Sequence, residues 1–235
     1  VRRAIAGYCG LVSFMDEQMG QVLAALDQSG LRDDTLVIYT SDHGDNLGAR
    51  GLWGKSTLYE ESAGVPMILA GPGIPAGQVV AEPVSHVDCA VTILQAAAAP
   101  ALAQASGQSL TDLALGATAH RPVLSEYHAI GCTGGATLLR HGSFKYCHYV
   151  DHPAQLFDLA TDPEELQDLA TNPAHRETLL ACEAALRRVL NPDEVDQRAK
   201  QRQQDLLAAH GGRDAALARG DLGFTPAPGT EAAFN

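Results

Sequence analysis

An aspartate, a histidine and a lysine lie close together in one stretch of the sequence, TLVIYTSDHGDNLGARGLWGK, which spans residues 35–55. Asp42 and His43 follow a short apolar run rich in β-forming residues, and Lys55 comes twelve residues after His43. A carboxylate oxygen and an imidazole nitrogen together suit Ca²⁺, Mn²⁺, Mg²⁺ or Zn²⁺, depending on the remaining ligands. A nearby ammonium group can offset negative charge that builds on an anionic substrate. The stretch therefore predicts part of a metal-assisted hydrolytic site.

Each of these residues also has a plain structural explanation. Asp-His-Gly is compatible with an Asx turn that carries a surface histidine. A single lysine in a loop is usually solvated. The order strand, Asp-His-Gly and lysine favours the functional interpretation more than either signal does alone.

The elements that must position these residues follow from hydrophobic periodicity. Residues 4–29 have apolar side chains at helical spacing and end at Gly30, which suits a helix C-terminus. TLVIYT (35–40), VPMILAG (65–71) and PVLSEYH (122–128) read as strands, and the first two are solid apolar runs typical of a parallel sheet buried on both faces. Residues 56–63 and 86–99 are predicted helices. The fold class is therefore α/β, with a mostly parallel sheet flanked by helices.

The pattern changes near residue 132. ATLLRHGSFKYCHYV (136–150) predicts two strands joined at His141-Gly142, and QLFDL (155–159) predicts another, so a small antiparallel sheet follows. Residues 173–190 form an amphipathic pattern, and Asn191-Pro192 marks the start of a last helix that runs to about residue 209. We predict an α/β part over 1–131, a small sheet with helices over 132–209, and a tail over 210–235. That tail is expected to be disordered or ordered only by a partner chain.

Composition excludes some partners. The 235 residues contain 46% hydrophobic residues and have a formal net charge of −12. The apolar residues are sufficient for a hydrophobic core. A chain this acidic is a poor candidate for binding nucleic acid. No stretch approaches the roughly 20 apolar residues that span a bilayer, so we expect no membrane partner.

The cysteines bear on the compartment. The chain has five, with no Cys-x-x-Cys spacing, which argues against a disulfide framework and favours a reducing compartment. We expect a cytoplasmic protein, with the periplasm as the alternative because the chain starts at Val1 inside a helical pattern.

The stretch TSDHGDNLGARGLWGKSTLYEESAGVPMILAGPGI resembles the C-terminal half of a type I sulfatase, within the alkaline phosphatase superfamily. Within that family, its sequence most resembles the choline-sulfatase and phosphonate monoester hydrolase members. SHVDCAVTIL resembles the family's Val-Asp-x-x-Pro-Thr-Leu segment, with Val91 where proline is usual. FKYCHY and QLFDLATDPEELQDLA resemble the family's C-terminal subdomain, so nearly the whole chain takes part in the resemblance.

The resemblance implies roles for particular residues. Asp42 and His43 match metal-binding positions, with Ca²⁺ expected first and Mn²⁺, Mg²⁺ or Zn²⁺ as alternatives. Lys55 matches the lysine that contacts the sulfate oxygens, and is thus both the catalytic and the substrate-binding candidate. Family members take their nucleophile, a formylglycine, from the cysteine of a Cys-x-Pro-Ser-Arg segment in the N-terminal half. None of the five cysteines here is followed by x-Pro-Ser-Arg, so this chain alone is expected to be inactive.

Other residues are weaker candidates. His128 follows a predicted strand end and could reach the substrate. Trp53, Tyr59 and Tyr127 could line a pocket for an organic group, although core or loop packing is the favoured explanation. The remaining charged and imidazole candidates are assigned structural or surface roles: Asp45, Arg50, Glu60, Glu61, His86, Asp88, His141, His148 and His152.

The resemblance implies a sulfuric ester hydrolase that acts on a small-molecule sulfate ester and forms a homo-oligomer. One alternative keeps the metal but changes the substrate to a phosphonate monoester or phosphodiester. The other is a non-catalytic fragment that serves as a binding or oligomerisation module.

Overall fold

The structure, a computed structural model, describes residues 1–118, 121–129 and 132–219. Within this part of the chain the helices are α1 (Arg2–Ser29), α2 (Glu60–Ala63), α3 (His86–Ala96), α4 (Leu110–Ala114), α5 (Arg176–Val189), α6 (Pro192–Ala209) and α7 (Gly212–Arg219). The strands are β1 (Val37–Thr40), β2 (Met67–Ala70), β3 (Val123–Tyr127), β4 (Ala136–His141), β5 (Phe144–Tyr149) and β6 (His152–Asp158). None of the described helices is long and apolar enough to cross a membrane.

The N-terminal region contains α1 and a two-stranded sheet. α1 confirms the predicted helix and ends at Gly30, whose φ of 71° is the left-handed conformation that glycine adopts without a Cβ clash. β1 and β2 pair antiparallel, with Thr40 opposite Met67, whereas their apolar runs predicted strands of a mostly parallel sheet. The connection between the two strands contains a 3-10 turn at Ala49–Gly51 and the single turn of α2, and no helix long enough for a parallel crossover.

The C-terminal region is built on a four-stranded antiparallel sheet in the order β3-β4-β5-β6. One face packs Leu139, Tyr146 and Leu156 against Cys182 and Leu186 of α5. On the other face, side chains of β4 and β5 pack around Leu58, which belongs to the connection between β1 and β2. Both faces of this sheet are therefore covered, and the second face touches the segment that carries the candidate residues.

Several predicted boundaries shift. β3 is hydrogen-bonded to β4, so the antiparallel sheet begins before residue 132, and the domain division itself stays a prediction. β6 starts at His152, earlier than the predicted strand, and α2 is shorter than the predicted helix 56–63. In the predicted tail, residues 212–219 form α7, whereas residues 220–235 lie outside the described residues.

Asp88 has a structural role at the start of α3, as predicted. Ser85 is the N-cap of α3, and the Asp88 carboxylate accepts a hydrogen bond from the Ser85 backbone N–H at 2.8 Å, which completes a capping box. The other Asp88 oxygen accepts from the backbone N–H of Gln108 at 2.7 Å and from Arg121. This buried carboxylate thus fixes both the start of α3 and the loop that leads into α4.

Candidate active site

Asp42, His43 and Lys55 line one cleft of about 940 Å³. The cleft lies between the connection that follows β1, the start of α3 and strand β3. Further polar side chains that the sequence patterns did not place there also line it, among them Ser56, Glu60, His86, Glu126 and Arg140. The structure therefore brings together the three residues predicted from one stretch of sequence, and adds others from distant elements.

His43 and Lys55 are in direct contact. The Lys55 Nζ lies 2.7 Å from His43 Nε2, and His43 Nδ1 lies 2.8 Å from the carbonyl oxygen of Gly44. Since a carbonyl oxygen only accepts, Nδ1 carries the proton and Nε2 accepts from the ammonium group. With Nδ1 as the donor, the accepting nitrogen of His43 faces the Lys55 ammonium group.

Asp42 presents an exposed carboxylate beside this pair. Its Oδ2 lies 3.4 Å from His43 Nε2, and its side chain is 83% exposed. The His43 backbone N–H donates to Asp42 Oδ1 at 3.0 Å, and this bond is the largest of the effects that lower the pKa of Asp42 below its usual value. Asp42 therefore remains a carboxylate throughout the neutral range and is available as an oxygen ligand.

The donor set of Asp42 and His43 fits part of a cation site. One carboxylate oxygen and one imidazole nitrogen converge within a few ångströms, but the described residues contain no group of three or more His, Cys, Asp or Glu side chains that could hold a metal. Ca²⁺ takes 6–8 oxygen ligands, and other hard cations also need more than two donors. The pair therefore fits as one side of a coordination sphere whose other ligands are supplied from elsewhere.

Asn46 closes the loop that delivers Lys55, and the sequence patterns did not identify it. Only 1% of this residue is exposed. Its backbone N–H and its side-chain Nδ2 both donate to the Gly54 carbonyl at 2.7 Å, and its Oδ1 accepts from Thr57 at 3.2 Å. The only sequence signal for this role is an asparagine directly after an aspartate in a Gly-rich loop.

Asp45 adds a second cross-link, as predicted for a structural residue in this loop. Its Oδ1 accepts from the backbone N–H groups of Leu47 at 2.8 Å and Gly54 at 3.2 Å. Because Gly54 is held by both Asp45 and Asn46, Lys55 leaves the loop from a fixed point. The short distance between Lys55 Nζ and His43 Nε2 therefore depends on the closure of this loop.

Gly44 allows the loop to pack on α2. Its backbone N–H donates to the Ser62 carbonyl at 2.9 Å, and a Cβ at this position would lie 2.0 Å from the backbone oxygen of Glu61. Only glycine permits this approach. The third residue of Asp-His-Gly therefore holds the Asp42–His43 segment against α2.

The weaker candidates lie in mixed positions. Tyr127 lines the cleft, Tyr59 lies under the Arg50 guanidinium at 4.0 Å, and Trp53 lies against Gly48 in the loop. His86 also lines the cleft, where its Nε2 lies 3.2 Å from Thr40 Oγ1.

His128 packs against the sheet and is not one of the residues that line the cleft. Its ring lies against Gly135, its Nε2 is 3.4 Å from Glu126 Oε1, and its buried Nδ1 has no hydrogen-bond partner among the described residues. A substrate-binding role for His128 stays a prediction.

Comparison with known proteins now places the chain in a family. Residues 2–99 match the family model described as Sulfatase. The chain is 39% identical over 166 residues to choline-sulfatase from Rhizobium meliloti (strain 1021), covering 69% of this chain and 32% of that protein. It is 35% identical over 207 residues to arylsulfatase K from Gallus gallus, covering 83% of this chain and 38% of that protein.

A solved structure agrees. The phosphonate monoester hydrolase from Silicibacter pomeroyi superimposes with a TM-score of 0.66 at 29% identity, covering 74% of this chain and 38% of that one. The chain belongs to the sulfatase family of the alkaline phosphatase superfamily and covers a C-terminal portion of it. It spans about a third of the length of the curated relatives that it matches. The expected family and fold class are thereby confirmed.

Proposed function

We propose that this chain is the C-terminal part of an enzyme that hydrolyses small-molecule sulfate monoesters with the help of a divalent cation. The observation that carries the proposal is the cluster of Asp42, His43 and Lys55 in one cleft, with Lys55 Nζ 2.7 Å from His43 Nε2. The identity to choline-sulfatase and arylsulfatase K supports the reaction class.

Each residue has a distinct role in this proposal. Asp42 and His43 hold the cation, for which Ca²⁺ is the first candidate and Mn²⁺, Mg²⁺ and Zn²⁺ are alternatives. When bound, such a cation polarises the ester oxygens and lowers the pKa of a coordinated nucleophile. Lys55 donates hydrogen bonds to the sulfuryl oxygens as negative charge builds toward the leaving group.

The remaining parts of the site belong to other residues of the parent protein in this proposal. The sequence holds no Cys-x-Pro-Ser-Arg segment, so the nucleophile, which we propose to be a formylglycine, and further metal ligands come from an N-terminal half. This chain by itself is then inactive. A cytoplasmic homo-oligomer remains our expectation for the parent.

A second substrate class has a specific observation in its favour, because the structural relative described above is a phosphonate monoester hydrolase at 29% identity. Both esters place negatively charged oxygens where Lys55 can donate. A third possibility is a non-catalytic module for binding or oligomerisation.

Steady-state hydrolysis separates these proposals. The protein that carries this chain with its native upstream sequence is assayed with a chromogenic aryl sulfate and a phosphonate monoester, beside Asp42→Ala. We expect the sulfate to have the higher kcat/KM, and Asp42→Ala to weaken activation by added Ca²⁺. A higher kcat/KM for the phosphonate supports the second class, and turnover of neither ester supports the non-catalytic module.

A control variant tests whether the removal of a charged side chain outside the cleft also changes the kinetics. Arg32→Ala removes an exposed cation that pairs with Asp27 at 2.9 Å near the end of α1. This variant should keep the kinetics and cation response of the wild-type protein, since neither residue lines the cleft.

A further inference from the structure

A buried ion-pair network joins the C-terminal sheet to the segment that holds the candidate site. Lys145 of β5 is fully buried, with its Nζ 2.8 Å from Glu60 Oε1 and 2.7 Å from Glu165 Oε1. Glu165 is itself buried, while the Glu60 side chain is 41% exposed at the start of α2. The ammonium group of Lys145, from the C-terminal sheet, therefore contacts Glu60 in the connection between β1 and β2.

Arg50 makes a second link from the same loop. Its Nη1 donates to both carboxylate oxygens of Glu61, at 2.8 and 2.7 Å, and its Nη2 donates to the Glu164 carbonyl. The Nη2 also lies 3.8 Å from Glu165 Oε2. Arg50 therefore ties the loop that carries Lys55 to α2 and to the same short segment of the C-terminal region.

The network reaches the candidate site through the backbone of α2. The Glu60 backbone N–H donates to Glu165 Oε2 at 2.6 Å, so Glu165 holds this residue while Lys145 holds its side chain. Two residues later, the Ser62 carbonyl accepts from Gly44, the neighbour of His43. Since Gly44 is packed against Glu61 without space for a Cβ, a shift of α2 moves the backbone at His43.

Two members of the network have a strained backbone. Glu165 has a φ of 53° and Arg50 a φ of 52°, which is the left-handed region that non-glycine residues rarely occupy. Such conformations persist where surrounding contacts over-determine them, and they concentrate at functional sites. Both strained residues are charged members of this network, so the strain coincides with the connection to the loop.

We propose that Lys145 and Glu165 are positioning residues that act through Glu60 and Arg50 to set the distance between His43 and Lys55. A buried ion pair is weak evidence for stability, because apolar residues of similar volume often stabilise a fold equally well. The pair does fix the position of Glu60, since Glu165 binds its backbone N–H and Lys145 binds its carboxylate. This inference rests on the proposed function for its kinetic consequence but not for its structural one.

Trp53 is the only tryptophan in this chain and lies in the loop between Asn46 and Lys55. Its indole packs on Gly48, so its resonance reports the loop conformation. We would label the protein, with its native upstream sequence, with 5-fluorotryptophan and assign the Trp53 resonance by its loss in Trp53→Phe. Fluorine NMR and steady-state kinetics are then recorded for three variants, well below their unfolding temperatures.

The variants separate positioning from stability. Glu60→Ala cuts the link at a partly exposed position and leaves the Lys145–Glu165 pair intact. Because Glu60 also lines the cleft, the Trp53 resonance rather than kcat reports positioning in this variant. Lys145→Met removes the buried charge and keeps the length of the side chain. Leu186→Ala is the control, because it destabilises the opposite face of the same sheet without touching the network.

We expect the Trp53 resonance to shift in Glu60→Ala and Lys145→Met but not in Leu186→Ala. A misplaced Lys55 should lower kcat by about tenfold to a hundredfold, with KM within about twofold, in the first two variants only. An unchanged resonance in Glu60→Ala would overturn the proposal, and this holds even where Lys145→Met fails to fold. If the wild-type protein hydrolyses neither ester, the proposed function fails while the NMR comparison still decides the positioning role.

Discussion

The two regions of this chain are packed very differently. The C-terminal sheet buries both faces, with Leu139, Leu156 and Leu186 fully inaccessible. In the N-terminal region, α1 has no buried residue. Its exposed apolar side chains include Leu11, Val12, Phe14, Met15 and Val22. The adjacent strands are also half-open, with Tyr39 38% and Ile68 58% exposed. Both regions contain many apolar side chains, but those of α1 and of strands β1 and β2 remain exposed or only partly buried.

The candidate site lies where these two regions meet. Its residues follow β1 in the open region, yet their loop is closed by Asn46 and held by Lys145 and Arg50 against the packed region. We infer that the geometry of this loop depends on the C-terminal sheet more than on β1, which precedes it.

The largest expected effect is the difference in stability between two leucine-to-alanine substitutions, one in each region. Leu186→Ala opens a cavity in the packed core and should lower the free energy of unfolding by about 2–5 kcal/mol. Leu11→Ala removes a side chain that is 68% exposed and should change it by less than about 0.5 kcal/mol. Urea denaturation of the 235-residue chain measures both, and equal losses would show that the regions do not differ in packing.

The next effect concerns the loop itself. Asn46→Ala leaves the Gly54 carbonyl and Thr57 without their side-chain partner and should cost about 1–3 kcal/mol. It should also lower kcat of the full protein by roughly tenfold or more, because Lys55 loses its fixed starting point.

Asn191→Ala is the matched control for Asn46→Ala. It removes the side chain that caps α6 and should cost about 1 kcal/mol. Because Asn191 lies far from the loop in sequence and does not line the cleft, kcat should be unchanged. A loss of kcat as large as that of Asn46→Ala would contradict the role assigned to loop closure.

Alkaline pH should weaken the packed region. Burial raises the pKa of Tyr146 and that of Cys147 to about 12 each, so both stay protonated in the folded protein above their ordinary values of 10 and 9. Their contribution is fully present below those ordinary values. Between about pH 9 and 12 the unfolded chain releases protons that the folded chain keeps, and stability falls by about 1.4 kcal/mol per pH unit for each proton.

Denaturation measured across this pH range checks the prediction. Tyr146→Phe removes one titrating group and should flatten the decline above pH 10. Tyr8→Phe on α1 is the control and should leave the slope as it is. A slope that is the same in Tyr146→Phe and the wild-type chain would show that burial of Tyr146 does not link stability to pH.

The smallest effect lies in the N-terminal region. Ser85→Ala removes half of the capping box of α3 and should cost about 1 kcal/mol. Thermal unfolding followed by circular dichroism measures this loss. Ser29→Ala, whose exposed hydroxyl donates to the Leu26 carbonyl at the end of α1, should shift the unfolding temperature less.

Sequence patterns predicted the elements better than the contacts between them. Helix α1, the hairpin of β4 and β5, and the Asn191 cap follow from local periodicity and turn residues, and the structure confirms them. The antiparallel pairing of β1 and β2 was not predicted, because a solid apolar run indicates a buried strand but does not fix the direction of its neighbour. Local patterns do not encode which strands become neighbours.

The same limit applies to the candidate site. Asp42, His43 and Lys55 were found because they lie in one stretch with a recognisable order. Asn46 was missed because one buried asparagine in a polar loop has no period or spacing. Lys145 and Glu165 were missed because their partner, Glu60, is far away in sequence and meets them only after the sheet has formed.

The most direct test of the proposed function is the kinetics of Lys55→Ala in the protein that carries this chain with its upstream sequence. Lys55 is exposed, so the unfolding temperature should stay at the wild-type value. Hydrolysis of an aryl sulfate should slow by about a hundredfold to a thousandfold in kcat, because an ammonium group that stabilises the sulfuryl oxygens is lost. A folded Lys55→Ala protein with wild-type kcat would contradict the assignment of this cleft as the active site.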